Sequence, residues 1–131
     1  MSVSMELARI IISEMQEQQI IVLKEVNGER QFPIVIGSSE AYAIDRRLKG
    51  IPTPRPLTHD LLASVIKELG GELESIEIHN LQSSTFFARL HIRQGQKLTQ
   101  IDSRPSDAIA LGIASNVPIL VADHVLQAAG Q

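Results

Sequence analysis

Apolar and polar residues alternate along several short runs of the chain and then change to helical spacing. Runs rich in Ile and Val are typical of strands, and an Asn-Gly pair between two of them indicates a hairpin turn. A following segment has apolar residues three and four positions apart, which indicates a helix. The first third of the chain therefore predicts strands at 5–14, 19–26 and 31–36, the last two joined at Asn27-Gly28, and a helix over 37–49.

The same order of elements recurs in the second half of the chain. Strands are predicted at about 72–79, 84–93 and 96–101, followed by a helix over 105–115. The segments "SSEAYAI" and "PSDAIAL" align so that Ser39 matches Ser106 and Glu40 matches Asp107. Internal repetition at a fixed offset indicates a duplicated unit, and chance similarity of two short segments is the alternative. We predict an α+β fold that duplicates a strand-strand-strand-helix unit with antiparallel sheets.

One domain is expected for a chain of 131 residues, so the two halves (5–49 and 72–116) belong to a single domain over 1–131. A helix over 57–69 links the halves, with Thr58 as its expected N-cap. Helical spacing predicts one buried stripe on this helix, made of Leu61, Leu62, Val65, Ile66 and Leu69. A short helix capped by Asp123 and ended by Gly130 closes the chain.

The helix over 105–115 is apolar or small on nearly every side. Such a helix is buried on more than one face, because it has no polar face to give to water. We therefore predict a homo-oligomer, most simply a dimer with closed symmetry.

Composition narrows the classes of protein that this chain can be. It carries twelve Lys and Arg against fifteen Asp and Glu, for a net charge of −3, which argues against a protein that coats DNA through phosphate neutralisation. Aromatic residues make up 3% of the chain, a poor supply for stacking single strands. Cysteine is absent, and no signal segment or membrane span is evident, so the expected location is the cytoplasm, with no membrane partner.

The strand at 86–93 has a charged face. Phe87, Arg89, His91 and Arg93 alternate with apolar residues and share one side of the strand. Such a row is usually a solvated face of a half-buried strand. Contact with nucleic-acid phosphates is the alternative.

Two predicted helix starts concentrate charge. "PRPLTHDL" at 54–61 holds a cation, a hydroxyl, an imidazole and a carboxylate, and "DSRPSDA" at 102–108 holds two acids and an arginine around Pro105. Local chemistry explains part of this, because Asp102 or Ser103 can cap the second helix and Pro105 suits its first turn. Capping needs only one such group, which leaves the rest as candidates for a site.

These two segments, with "TFFARL" and "GSSEAYAI", closely resemble the signature segments of the bifunctional nuclease domain family. The resemblance extends from about residue 5 to residue 128. It implies an α+β fold and hydrolysis of DNA and RNA without marked sequence preference, but no established set of catalytic residues. Ser103 is a small departure, since a residue such as Ala is expected there. The positions carried over are Glu40, Arg55, Thr58, His59, Asp60, Asp102, Arg104, Ser106 and Asp107.

Phosphodiester hydrolysis assigns provisional roles to these positions. The expected catalytic residues are His59, Asp60, Asp102 and Asp107, since His and carboxylates act as acids and bases. Hydroxyl and guanidinium groups bind phosphate, which selects Arg55, Thr58, Arg104 and Ser106. Hard oxygen ligands hold Mg²⁺ or Mn²⁺, which selects Glu40, Asp102 and Asp107.

We predict that the two charged helix starts meet in one site, and two other interpretations remain open. The same helix starts would serve a non-catalytic module that binds a ligand or a protein. A purely structural oligomerisation domain would use the apolar helix over 105–115. A nuclease requires at least two of the carboxylates of Glu40, Asp60, Asp102 and Asp107 to face one open pocket.

Overall fold

The computed structural model describes residues 1–130, in which strands and helices follow the predicted order with one addition. The predicted domain extends to Gln131, which lies outside the described residues. No helix within residues 1–130 has both the length and the apolar character needed to cross a membrane. The strands are β1 (Ser2–Ile11), β2 (Gln18–Glu25), β3 (Gln31–Gly37), β4 (Glu72–Gln82), β5 (Thr85–Gln94), β6 (Lys97–Ser103) and β7 (Ile119–Ala122). The helices are α1 (Ser38–Leu48), α2 (Thr58–Glu68), α3 (Pro105–Ser115) and α4 (Asp123–Ala129).

Two antiparallel three-stranded units form the wings of one sheet, in the order β3-β2-β1-β7-β4-β5-β6. Within each unit, consecutive strands pair through hairpins, and each third strand leads into a helix. The central strand β7 is antiparallel to β1 and parallel to β4, so the two units run in opposite directions. A twofold rotation relates two copies in this way, which agrees with the predicted duplication.

The strand β7, which joins the two wings, was not predicted from the sequence. This segment is only four residues long and consists entirely of apolar residues, mostly buried. An apolar run this short is consistent with a buried strand, but periodicity alone does not distinguish it from part of a buried helix. As a result, the predicted antiparallel sheets are one mixed sheet.

The helix α3 lies at the centre of the helical layer, against β4 and β5 and between α1 and α2. Its residues from Ala108 to Gly112 are all buried. A Cβ on Gly112 would lie 3.3 Å from Ile76 Cγ1 of β4, so the glycine lets the helix approach the sheet closely. Neighbouring elements of the same protomer cover α3, which explains why the helix has no polar face. Its apolar composition therefore does not support a subunit interface.

The prediction of a buried leucine stripe on α2 is wrong. None of its residues is buried, and the apolar side chains of Leu61, Leu62 and Val65, with the C-cap residue Leu69, are exposed. The core is instead contacted by Ala63 and Ile66. α2 packs mainly on α3 rather than on the sheet, so only a narrow face of the helix is covered.

Three predicted helix caps are also corrected. Leu57, not Thr58, is the N-cap of α2, and its N–H donates to Asp60 Oδ2 at 3.1 Å. The N-cap of α3 is Arg104, with no side-chain capping bond from Asp102 or Ser103. Asp123 is the first residue of α4 and not its cap. In each case the helix boundary lies one or two residues from the position that residue preferences indicate.

Candidate active site at two meeting helix starts

The starts of α2 and α3 meet, as predicted. His59 is the second residue of α2 and Asp107 is the third residue of α3. The Nε2 atom of His59 lies 3.0 Å from Oδ1 of Asp107, and the Nε–H of Arg104 donates to Oδ2 at 2.8 Å. The carboxylate of Asp107 therefore joins an imidazole and a guanidinium from two helix starts.

The protonation state of the pair follows from these contacts. Burial raises the pKa of Asp107, but hydrogen bonds from Arg104 and His59 outweigh it, so this pKa is lowered from 3.8. An ionised carboxylate only accepts hydrogen bonds, so Nε2 of His59 carries the proton. In the neutral imidazole, Nδ1 then holds a lone pair that is available as a base.

Glu40 of α1 is the counterpart of Asp107 in the first half of the chain. Each is the third residue of its helix. Glu40 Oε1 lies 3.9 Å from Nη1 of Arg104, so the guanidinium lies between the two carboxylates of the repeat. The Glu40 carboxylate also folds over the helix start, where a Cβ on Gly37 would lie 2.6 Å from Oε1. A carboxylate in this place is stabilised by the positive end of the helix dipole.

A cavity of about 550 Å³ lies beside this cluster. Glu40 and Asp107 both line it, which places two of the four candidate carboxylates in one pocket. The complete lining is Ser39, Glu40, Tyr42, Ala43, Arg46, Leu57, Thr58, His59, Arg104 and Asp107. Predicted residues Thr58 and Arg104 thus lie in the same pocket as His59.

Two lining residues, Tyr42 and Arg46, were not predicted. They are four positions apart on α1, which places them on the same face of the helix. Tyr42 is 48% exposed, and Arg46 makes no ion pair with any other residue in 1–130. The sequence did contain a signal for these two residues, because they are four positions apart on a helix whose first turn holds the candidate acid Glu40.

A second cavity of about 430 Å³ adjoins the first and shares Glu40 and Arg104 with it. Ser106, a predicted phosphate ligand, is buried and lines this second cavity. Its other walls come from the end of β3, the β4–β5 turn and Pro105.

Three predicted residues lie away from the cluster. Asp60 accepts a hydrogen bond from Arg47 at 2.5 Å and lines a neighbouring cavity. Asp102 of β6 lies directly opposite Arg89 of β5 in the strand register, which places it on the sheet face opposite the helices. Arg55 is exposed in the loop before α2, where its carbonyl oxygen accepts a hydrogen bond from Thr53.

The charged row of β5 is a neutralised outer face. Arg93 donates to Glu74, while Arg89 and His91 lie 2.9 Å from a carboxylate oxygen of Glu77. Burial raises the pKa of Glu77, but hydrogen bonds from His91, Arg89 and Ser2 lower it below 4.5. The cations of the row therefore have acidic partners, but the side chains of His91 and Glu77 are only 15% and 11% exposed, so this part of the face is paired and largely buried rather than solvated.

The site fits an anion better than a divalent cation. Of the predicted metal ligands, Asp102 lies on the other face of the sheet. Both oxygens of Asp107 already accept hydrogen bonds from nitrogen donors. Residues 1–130 contain no group of three or more His, Asp or Glu side chains placed to hold a metal ion. The guanidinium of Arg104 beside Glu40 and Asp107 would repel a second cation.

Comparison with known proteins agrees with these features. A sequence profile of the bifunctional nuclease domain matches residues 21–131. The Mycobacterium tuberculosis protein "Uncharacterized protein Rv1829" is 42% identical over 121 residues, which cover 92% of this chain and 72% of that protein.

Two plant proteins are more distant. "Bifunctional nuclease 2" of Oryza sativa subsp. japonica is 26% identical, and "Bifunctional nuclease 2" of Arabidopsis thaliana is 25% identical. Each alignment covers 84% of this chain but 35% of the plant protein. The profile match alone covers well over half of the chain, and the chain belongs to the bifunctional nuclease domain family.

Proposed function

We propose that this protein is a nuclease that hydrolyses phosphodiester bonds of DNA and RNA at the His59–Asp107 cluster. The observation that carries the proposal is the contact of an oriented imidazole with a carboxylate and a guanidinium at the edge of an open cavity. Family membership gives the same reaction class. The narrower catalytic set is His59 and Asp107, with Arg104 and Arg46 as phosphate-binding residues.

In the proposed reaction, Nδ1 of His59 takes a proton from a water molecule. The water oxygen forms a bond to phosphorus, and the bond from phosphorus to the leaving oxygen breaks with its electron pair on that oxygen. The leaving oxygen takes a proton from a solvent water molecule, and the hydroxide left behind takes the proton held by His59, which restores the neutral imidazole. Asp107 fixes the tautomer of His59 and stabilises the imidazolium that forms, as the carboxylate does in other acid-base dyads. Arg104 neutralises charge that develops on the phosphoryl oxygens.

This chemistry accounts for activity on both polymers. Water is the nucleophile, so the 2′-hydroxyl of RNA is not required. Contacts to phosphate carry no sequence information, which agrees with a nuclease that lacks sequence preference. Both polymers are present in the cytoplasm, the compartment expected from the sequence.

The test is a cleavage assay on labelled DNA and RNA oligonucleotides. Wild-type protein is compared with His59→Gln, and Asp60→Asn is the matched control, because it changes a carboxylate of the same helix start that lines a different cavity. We expect His59→Gln to lower the cleavage rate about 100-fold or more, as loss of a general base does. Equal rates for wild type and His59→Gln would reject the assignment.

Each reaction is also run with Mg²⁺, with Mn²⁺ and with a chelator. Assistance by Mg²⁺ or Mn²⁺, expected from the chemistry of the candidate acids, stays a prediction, and added metal should raise the cleavage rate. Because both oxygens of Asp107 accept hydrogen bonds from nitrogen donors, we expect part of the cleavage to remain in the presence of the chelator. Activity that depends wholly on added metal would show that the metal is required.

We also propose that the protein is a homodimer that buries the exposed apolar face of α2. This face, made of Leu61, Leu62, Val65 and Leu69, is unusual on the surface of a monomer. An antiparallel pair of α2 helices about a twofold axis would cover the same face in both copies.

A further inference from the structure

The two cavities beside the site lie on either side of one pair of charged side chains. Glu40 and Arg104 line both cavities, and the other lining residues differ between them. Arg104 is 66% exposed, so its guanidinium is accessible at the boundary. The arrangement is a groove with a pocket at each side of Arg104, whose guanidinium lies between the carboxylates of Glu40 and Asp107 and keeps an exposed edge for a ligand.

Each pocket has the size and the wall chemistry to hold one nucleobase. Their volumes of about 550 Å³ and 430 Å³ lie within the range of small-ligand sites. The larger pocket presents the half-exposed ring of Tyr42. The smaller pocket has apolar walls from Pro33, Phe86 and Pro105.

The wall formed by Phe86 is held in place by the core. Its ring packs against Phe32 with a centroid distance of 5.5 Å and an interplanar angle of 29°, and Phe32 is buried. Phe86 therefore offers a fixed surface to a ligand, while Tyr42 offers a solvent-facing one. Aromatic rings of both kinds accept a stacked base of any identity.

We infer that this groove binds single-stranded nucleic acid, with one base in each pocket and the intervening phosphate at Arg104. The inference rests on the proposed nuclease function, for which it names the substrate class. In a duplex the bases are stacked and paired, and they would have to flip out before entering either pocket. A single strand offers its bases directly.

The net charge of the molecule also favours single-stranded over duplex nucleic acid as the substrate. Binding to a duplex depends mainly on many phosphate contacts. Here the net charge is −3, and the cations Arg46 and Arg104 of the groove lie with the carboxylates of Glu40 and Asp107. Affinity must therefore come largely from base stacking. The low aromatic content of the chain is no obstacle, because one exposed tyrosine serves one base.

Binding and cleavage are measured separately, so that failure of one proposal does not obscure the other. Fluorescence anisotropy of a labelled ten-nucleotide DNA strand, alone or annealed to its complement, is recorded with the His59→Gln protein, which is expected to bind without cleaving. The same measurement is repeated with Tyr42→Ala and Tyr42→Phe in that background. Circular dichroism confirms that each variant is folded.

We expect the single strand to bind at least tenfold more tightly than the duplex. Tyr42→Ala should weaken single-strand binding about tenfold, while Tyr42→Phe, which keeps the ring, should weaken it less than threefold. Equal affinity for strand and duplex, or unchanged binding by Tyr42→Ala, would overturn the inference. Strand-selective binding by a wild-type protein that cleaves nothing would instead reject the nuclease function alone.

Discussion

At the level of single residues, Asp107 has the largest number of distinct roles in the site. It lies in the first turn of α3, accepts hydrogen bonds from His59 and Arg104, and is the counterpart of Glu40 in the repeat. A capping acid needs one partner, whereas this carboxylate has two cationic or potentially cationic partners. Its charge is best explained by the pocket that it faces.

Substitution of Asp107 tests this role directly. Asp107→Asn keeps the shape of the side chain but removes the charge that orients His59, so kcat should fall about 100-fold or more. The matched control is Asp102→Asn, on the opposite face of the sheet, which should retain wild-type kcat. Steady-state cleavage of one labelled strand measures both, and an equal loss in the two variants would contradict the geometry.

Glu77 has a comparable environment on the other face of the sheet, but its role is structural. Its carboxylate accepts from Ser2 on β1 and from Arg89 and His91 on β5, and the side chain is 11% exposed. Because the pKa of Glu77 in the folded state is lowered, its ionisation stabilises the fold above its usual pKa of 4.5. That stabilisation is lost as pH falls through the folded-state pKa.

Glu77→Gln should therefore lower the free energy of unfolding at pH 7 by about 2 kcal/mol, the order expected for a buried hydrogen-bonded charge. The difference from wild type should shrink as the pH falls from 5 towards 3. Urea unfolding at several pH values measures it. A constant difference across this range would show that ionisation of Glu77 does not stabilise the fold.

At the level of elements, α3 is buried as its composition predicts, whereas the predicted burial of the apolar stripe of α2 is wrong. α3 has no polar face and lies inside the protomer, between the sheet and two helices. α2 carries a regular leucine stripe, and most of that stripe is exposed. Amphipathic spacing identifies an apolar face, but the neighbouring elements decide whether that face is covered.

Alanine substitution in the two helices should show this contrast. Ile109 of α3 is fully buried, so Ile109→Ala should lower the free energy of unfolding by about 2–5 kcal/mol. Leu69, which follows α2, is 70% exposed. Leu69→Ala should therefore lower the free energy of unfolding by less than about 0.5 kcal/mol. Urea denaturation at low protein concentration compares them, and similar losses would contradict the packing described here.

At the level of the whole molecule, the pseudo-twofold arrangement brings the site together. β7 joins the two wings, α1 and α3 start from equivalent strands, and their first turns place Glu40 and Asp107 on either side of Arg104. The linking helix α2 then adds His59, which has no counterpart in the repeat. A duplicated scaffold thus carries an asymmetric site.

The proposed dimer is tested at the same scale. Light scattering at micromolar concentration should give twice the mass of one chain, 14.4 kDa. The double substitution Leu61→Glu and Val65→Glu places like charges on the α2 face and should give a monomer with unchanged circular dichroism. A wild-type monomer, or a dimer that survives both substitutions, would exclude an interface at α2.

The sequence by itself determined the local elements and their repetition. Runs rich in Ile and Val, with alternation in one of them, predicted six of the seven strands found in residues 1–130. Helical spacing predicted the helices, and the match of "SSEAYAI" with "PSDAIAL" predicted the duplication. It also identified both charged helix starts, because an excess of charge over capping needs is visible in the residues alone.

Only the tertiary structure decided which of those charges work together. Asp102 and Asp107 are five residues apart, yet a strand's alternation sends Asp102 to the opposite face, while helix packing brings Asp107 to within 3.0 Å of His59. Tyr42 and Arg46 joined the site because α1 lies beside the start of α2. Sequence patterns report local periodicity, whereas the partners of a side chain depend on contacts between residues distant in the chain, and these are fixed only when the elements pack.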